Sequence, residues 1–197
     1  MKRTNVVLLF GAICLTLCIT SCTGNQKSGE ANSNDQSISA EDLVKKGEYL
    51  VTIMGCNDCH SPKKMGPNGP EIIPELMLSG YPADRPVVKF DTTWTNKGFP
   101  ILYPDLTAAA GPWGVSFAGN LTPDPTGIGT WTEEQFKIAI TQGKFKGIEG
   151  SRTLLPPMPW TNFVNLKDGD IKAIFAYLKS LPPVKNVVPA AIPPGDM

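Results

Sequence analysis

The sequence contains a single histidine, His60, so a site with two histidine ligands from this one chain is excluded. Acidic and basic residues number 18 each, and this balance gives no support for a nucleic-acid partner, which usually requires a basic patch. The longest apolar run, residues 6–19, falls short of the roughly 20 residues that a membrane-spanning helix needs. Cysteine is scarce, with five in 197 residues, so no extensive disulfide framework is expected. A chain of this length is sufficient for one domain.

Residues 1–21 have the features of a signal peptide, because the basic start at 1–3 precedes the apolar run. The sequence ITSC at 19–22 resembles the bacterial lipobox, which implies cleavage before Cys22 and lipidation of that cysteine. The alternative is an ordinary secretory signal with a cysteine there by chance. Residues 22–38 are polar and poor in large apolar side chains, so we expect a flexible, lipid-anchored tether. The predicted location is the periplasmic side of a membrane or the cell surface.

Three segments have the capping residues and apolar periodicity of α-helices. The first begins at the N-cap Ser39, and Gly47 lies on its apolar stripe, where another helix could cross closely. The second begins at Thr132, with Gln135 as its capping-box partner, and it stops at Gly143.

The third helix starts near Asp168 and is ended by Pro182. Beyond it, the proline-rich residues 187–197 are predicted to form an extended tail. Residues 61–130 lack sustained periodicity and are rich in proline, glycine, asparagine and aspartate. Loops of this length are usually functional or packed on something, and a large cofactor would give them an apolar surface. We therefore predict an all-α domain over residues 39–186, with long loops and little sheet.

The sequence GCNDCH at 55–60 places the single histidine directly after two cysteines. At the end of the first helix, with 100° per residue, Cys56, Cys59 and His60 would project from one face within about 100° of arc. Two thiols at this spacing can add to the two vinyl groups of one haem, and the imidazole can bind its iron from the same side. The spacing Cys-x-x-Cys-His therefore predicts one covalently attached haem c.

Three other interpretations of this hexapeptide have less support. A thioredoxin-like dithiol requires a βαβ context, which the sequence does not suggest. A structural zinc site usually has four ligands, and with one histidine and no further cysteine only a carboxylate could complete it. A chance occurrence in an exported protein would leave the two thiols oxidised and without a function.

A haem iron held by one histidine has a second axial position, and methionine is the usual partner in electron-transfer cytochromes. Met158 is the leading candidate, because Pro157 and Pro159 on either side stiffen its backbone. A buried packing methionine is the alternative for this residue. The other methionines beyond the signal peptide are Met54, Met65, Met77 and Met197.

Further candidates surround these ligands. A ligating histidine normally donates its other ring N–H to a carbonyl or carboxylate, and we expect His60 to donate to the carbonyl of Pro67 or Pro70. Arg152 could meet a haem propionate or could be an ordinary surface arginine. Candidates for lining the haem crevice, or for ordinary core positions, are Tyr81, Trp113, Trp131 and Trp160.

The sequence CNDCH, the proline-flanked Met158 and the terminal segment IKAIFAYLKSLPP resemble the class I, mono-haem cytochromes c. The stretches GEYLVTIMGCNDCHSPK and NLTPDPTGIGTWTEEQFKIAITQGK are more closely similar to the cytochrome c subunits of periplasmic alcohol, gluconate and related dehydrogenases. The resemblance covers roughly residues 43–186. It implies that the first and last helices cross, with Gly47 facing an aromatic residue such as Tyr177. Those subunits carry three haem motifs, whereas this chain carries one.

The motif and the resemblance together predict an electron carrier without substrate chemistry of its own, in which His60 and Met158 both bind iron. Its partners would be a redox donor and an acceptor, such as a dehydrogenase or a terminal oxidase. One alternative is a permanent cytochrome subunit of such a complex. Another is a haem sensor or peroxidase with an open sixth site, and the lack of a second histidine argues against peroxidase chemistry.

Overall fold

The computed structural model describes residues 38–87 and 89–197. The predicted signal peptide at 1–21, the lipidation candidate Cys22 and the tether up to residue 37 lie outside the described residues. The α-helices are α1 (Ala40–Ile53), α2 (Cys56–His60), α3 (Thr92–Thr95), α4 (Glu133–Gln142) and α5 (Asp168–Ser180). The strands are β1 (Lys63–Gly66), β2 (Gly69–Ile72), β3 (Ile101–Leu102), β4 (Ala108–Gly111) and β5 (Gly114–Phe117). In this part of the chain, no helix has the length and apolar content needed to cross a membrane.

The sequence signals at the helix ends are confirmed. Ser39 caps α1, since its hydroxyl accepts the N–H of Asp42 at 3.0 Å. Thr132 and Gln135 form the predicted capping box of α4 through two bonds of 3.1 Å. Gly143 ends α4 in the left-handed conformation, with φ 64°. The capping hydrogen bonds satisfy N–H groups that have no partner within the helix at its start. The left-handed glycine ends the helix at the other terminus.

Helices α1 and α5 pack against each other, and Gly47 permits their close approach. A Cβ atom at this position would collide with the backbone carbonyl of Ala173 and would lie 2.7 Å from Cβ of Tyr177. The predicted meeting of Gly47 with an aromatic residue of the last helix is therefore confirmed. Buried residues from these two helices contribute to one hydrophobic core, namely Val51, Ile171, Ile174, Tyr177 and Leu178.

The all-α prediction is wrong, because the described residues also form two antiparallel sheets. Strands β1 and β2 make a hairpin, and β3, β4 and β5 make a three-stranded sheet in that order. In the larger sheet, Ala109 pairs with Ser116 and Ala110 pairs with Val115. Its strands have only two to four residues, and β4 is buried along its whole length. They therefore lack the alternation of apolar and polar residues that identifies a half-buried strand.

A buried ion pair joins the larger sheet to the loop that precedes it. Arg85 lies 2.8 Å from the carboxylate of Asp105 and covers the rings of Tyr81 and Tyr103, 5.0 and 4.9 Å from their centroids. Burial alone would raise the pKa of Asp105, but hydrogen bonds from Arg85 and Thr107 outweigh it and hold that pKa below its ordinary value. Asp105 is therefore charged in the folded protein, and its charge is matched by Arg85.

The C-terminal tail adds a further pairing to this sheet. Val115 and Ile192 exchange backbone hydrogen bonds of 2.8 and 2.9 Å. Gly114 has φ 95°, and a Cβ atom there would collide with the carbonyl of Ile192. The tail therefore lies directly against β5, where it covers the backbone groups of an edge strand.

Candidate cofactor site

The hexapeptide at 55–60 forms a helix of its own and does not continue α1. The N–H of Met54 still donates to the carbonyl of Leu50, and Gly55 then adopts a left-handed conformation with φ 69° and ψ 26°. Helix α2 follows directly. The expectation that the hexapeptide forms the end of the first helix is therefore wrong, because Gly55 separates α1 from α2. Its two cysteines and its histidine nevertheless occupy little more than one helical turn, as their shared face requires.

Cys56 and Cys59 are partly buried free thiols. Burial, with a smaller contribution from the Asp58 carboxylate, raises the pKa of Cys56 to about 11. Burial also raises the pKa of Cys59. Both side chains are therefore protonated at neutral pH. This protonation lowers their reactivity, because the thiolate is the nucleophilic form of cysteine. The feature that fits the covalent attachment of a haem is the spacing of the two free thiols, each of which would add its S–H across one vinyl double bond.

A backbone carbonyl orients the ring of His60. The Nδ1 atom lies 2.7 Å from the carbonyl oxygen of Gly119, and because a carbonyl only accepts, Nδ1 carries the proton. The lone pair of Nε2 is then available to a metal. Burial lowers the pKa of His60, and this favours the neutral ring that metal ligation requires.

The sequence predicts that the carbonyl of Pro67 or Pro70 accepts the hydrogen bond from Nδ1. Both residues belong to the β1–β2 hairpin, and neither is the observed acceptor. The observed acceptor lies just beyond β5. Residues 80–81 connect it to α2, because their N–H groups donate to the carbonyls of His60 and Ala118 at 2.8 and 3.0 Å. The expectation of a nearby proline carbonyl is therefore wrong, and a segment far along the chain takes its place.

The end of α2 is braced by Lys63. Its ammonium group donates to the carbonyls of Asp58 at 2.7 Å, Asp105 at 3.0 Å and Ser61 at 3.1 Å. A cation is favourable at a helix C-terminus, since the last carbonyls there have no partner within the helix. Because Asp105 lies between β3 and β4, its main-chain carbonyl lets Lys63 link the end of α2 to the larger sheet.

Met158 comes from a separate loop that is attached to two other parts of the fold. The N–H of Leu154 donates to the carbonyl of Gly143 at 2.7 Å, and the hydroxyl of Ser116 donates to the carbonyl of Pro156 at 2.5 Å. Met158 itself is partly buried, and its own N–H makes a long bond of 3.3 Å to a carbonyl three residues earlier. The predicted site residues are thus divided between α2 and this loop.

The other methionines have different surroundings. Met54 and Met77 pack against the hydrophobic core, Met65 on β1 is 75% exposed, and Met197 is the last residue of the chain. These surroundings do not decide the ligand, since Cys56 packs against the same core as Met54 and Met77. Met158, in its proline-flanked loop, stays the predicted ligand.

The remaining candidates make the following contacts within the protein. The guanidinium of Arg152 lies 3.9 Å from the ring centroid of Phe145 and donates to the carbonyl of Thr153 at 3.0 Å. The ring of Trp160 packs on Gly143. Trp131 packs against the hydrophobic core, and Tyr81 is fully buried beside the sheet.

Two residues that support the site are missing from the sequence predictions. Gly119 acts through its carbonyl, which every residue possesses, so no side-chain pattern identifies it. Ser116 acts through a hydroxyl, and only recognition of β5 as a strand would have placed it beside the Met158 loop. Both contacts join residues far apart in sequence, which local patterns cannot show.

Comparison with known proteins points to one family. The family model described as "Cytochrome c" matches residues 44–182. The chain is 30% identical over 148 residues to the gluconate 2-dehydrogenase cytochrome c subunit of Pantoea cypripedii, covering 75% of this chain and 24% of that protein. It is 29% identical over 150 residues to the cytochrome c subunit of the quinone alcohol dehydrogenase of Gluconobacter oxydans, covering 76% and 23%. The fructose dehydrogenase cytochrome subunit of Gluconobacter japonicus is 26% identical over 136 residues, covering 68% and 20%.

The chain spans no more than 24% of the length of these three relatives. The family match, by contrast, extends from within α1 to just beyond α5 and includes both α2 and Met158. The two thiols and the neutral imidazole of α2 fit the covalently bound haem c that this family implies. The chain therefore belongs to the cytochrome c family.

Proposed function

We propose that the chain carries electrons on one haem c, bound covalently by Cys56 and Cys59, with His60 and Met158 as axial ligands. The observation that carries this proposal is helix α2, where two free thiols accompany an imidazole whose Nδ1 is held by a backbone carbonyl, which leaves the lone pair on Nε2. A single Cys-x-x-Cys-His motif in the 197 residues supports a single haem. When bound, the haem supplies a one-electron iron couple.

The side chains of this site would hold the cofactor and close it to other ligands. Cys56 and Cys59 anchor it, and the carbonyl of Gly119 fixes the plane and the tautomer of His60. If Met158 also binds the iron, no coordination position would remain for water or small molecules. This arrangement supports electron transfer in preference to catalysis on a substrate.

The electron donor that we propose is a dehydrogenase. The relatives that match most of this chain are named as cytochrome subunits of dehydrogenases, and this supports such a partner. An acceptor such as a terminal oxidase would complete the route. The same names also favour a second form of the proposal, in which the chain is a permanent subunit. Purification of the native protein distinguishes the two, because a permanent subunit remains with its dehydrogenase at high salt.

Export and lipid anchoring through Cys22 complete the proposal. The sequence ITSC after an apolar run supports this location. One acyl chain anchors a protein only marginally, whereas two or more anchor it stably. Cys22→Ser should therefore release the protein from membranes with its haem intact. Retention of the serine variant in the membrane fraction would instead indicate an uncleaved signal or a membrane-bound partner.

Carbon monoxide distinguishes the proposed carrier from a sensor with an open sixth site. The ferrous protein should bind the gas poorly, because the Met158 sulfur has to be displaced first. It should nevertheless reduce an artificial acceptor quickly. Rapid carbon monoxide binding by the unmodified protein at neutral pH, followed by its visible spectrum, would contradict the carrier and favour the sensor.

A further inference from the structure

The prolines of the loop at 154–160 stiffen its backbone, but the loop makes few hydrogen bonds of its own. Prolines at 156, 157 and 159 have no N–H to donate, and they prevent a regular hydrogen-bond ladder. Met158 has one weak backbone bond of 3.3 Å. The position of its sulfur therefore depends on contacts that come from outside the loop.

Ser116 makes a hydrogen bond to this loop close to Met158. Its hydroxyl lies 2.5 Å from the carbonyl oxygen of Pro156, two residues before Met158, and 3.4 Å from the carbonyl of Ala109. A hydroxyl has one proton, and the shorter distance assigns it to Pro156. The oxygen of Ser116 also accepts the indole N–H of Trp113 at 3.3 Å. The indole, the hydroxyl and the loop carbonyl thus form a continuous chain of hydrogen bonds.

This series of hydrogen bonds starts from the buried pair of strands β4 and β5. Ser116 is 9% exposed and pairs with Ala109 between β4 and β5. The ring of Trp113 packs so closely on Gly111 that a Cβ atom there would collide with it. The hydroxyl is therefore held in place before it meets the loop, and little entropy is lost when the bond forms.

We infer that Ser116, oriented by Trp113, is a positioning residue that holds the Met158 loop against the cofactor. This inference rests on the proposed role of Met158 as an axial ligand. Through this hydrogen bond, the three-stranded sheet would limit the displacement of the Met158 sulfur. Loss of the Ser116 hydroxyl should loosen the sulfur without affecting the two thiols or His60.

The test compares Ser116→Ala with two controls in the ferrous holoprotein. Loss of one such hydrogen bond should increase the affinity for carbon monoxide about two- to tenfold and should lower the reduction potential. Ser116→Thr keeps the hydroxyl and should restore both values. Ser180→Ala removes a hydroxyl that donates to the carbonyl of Tyr177 at 2.7 Å at the end of α5, and it should change neither value.

Met158→Ala separates this inference from the proposed function. If Met158→Ala leaves carbon monoxide binding unchanged, the ligand assignment fails and the inference fails with it. If Met158→Ala opens the iron but Ser116→Ala matches the unmodified protein, only the inference is overturned. Should Ser116→Ala not fold, Ser116→Cys replaces the hydroxyl donor with a weak thiol donor of similar size and decides the question. An increased affinity supports the inference, and an unchanged affinity overturns it.

Discussion

His60 and Met158 lie in two regions of the molecule that are constructed differently. On the histidine side, Gly119 bonds to the ring, Gly80 bonds to the main-chain carbonyl and Lys63 bonds to the helix end. On the methionine side, the two external bonds reach residues that lie two and four positions before the methionine. One candidate ligand is therefore fixed directly, and the other is fixed through its loop.

This difference indicates how each side responds to disturbance. Movement of His60 would break contacts with three segments, whereas movement of Met158 requires the displacement of one short loop. Segments with few external contacts open at lower free energy than those with many. We therefore expect the methionine side to control ligand exchange and the histidine side to control retention of the cofactor.

The largest expected effect is at the covalent anchors of the histidine side. Replacement of Cys56 and Cys59 by alanine should abolish haem-linked peroxidase staining on denaturing gels, because no thioether bond can form. Cys22→Ser removes a thiol outside the site and should leave the staining unchanged. A double variant that keeps its haem through denaturation would contradict the covalent assignment.

The next effect concerns the methionine side. Met158→Ala should lower the reduction potential by a value on the order of 0.1 V, since axial ligands shift haem potentials widely. Met65→Ala, at the 75% exposed methionine, should leave the potential unchanged in the same spectroelectrochemical titration. An unchanged potential in Met158→Ala would move the ligand role to another methionine, such as Met77.

The ion pair between Arg85 and Asp105 provides a third test. Asp105→Asn removes the charge that Arg85 pairs with at 2.8 Å, and it should lower the free energy of unfolding by about 1–3 kcal/mol. Because the folded-state pKa of Asp105 lies below the unfolded value, its contribution is present above about pH 4 and is lost as the pH falls through the folded-state pKa.

Denaturant unfolding at pH 7 and at acidic pH measures this dependence. The unmodified protein should lose more stability on acidification than Asp105→Asn does. Asp168→Asn removes an exposed ion pair with Lys137 and should have little effect at either pH. Equal acid sensitivity of the unmodified protein and Asp105→Asn would show that the ion pair between Arg85 and Asp105 does not stabilise the fold.

The smallest expected effect concerns the close crossing of α1 and α5 at Gly47. Gly47→Ala should destabilise the fold by about 1–2 kcal/mol, because forced separation of α1 and α5 outweighs the gain in helix propensity. Gly169→Ala is the matched control, since a Cβ atom there meets nothing within 4 Å, and it should stabilise α5 slightly. If both variants gain stability in thermal unfolding, the close crossing is not a constraint.

Local features of the fold could be predicted from the sequence, because each depends on neighbouring residues. The capping box joins Thr132 and Gln135 within one helical turn. A glycine on the apolar stripe of α1 indicates that another helix approaches closely at Gly47. The grouping of Cys56, Cys59 and His60 likewise follows from helix geometry alone. These predictions needed no knowledge of the rest of the chain.

Features that depend on distant residues could not be predicted in this way. Strand β4 consists of three alanines and a glycine, all buried, so neither composition nor alternation indicates a strand. Its pairing with β5, and of β5 with Ile192, is decided by tertiary packing. The sequence predicts an acceptor for His60 at a nearby proline, but the acceptor lies 59 residues away at Gly119.

Gly47 contacts a helix that follows it only after the whole of the larger sheet and α4. During synthesis, helix α1 therefore lacks this partner until α5 exists, and the edge of β5 lacks its own until Ile192 follows. Cys56 and Cys59 precede both partners in the chain. An enzyme that attaches haem to these thiols could therefore act before either packing is complete.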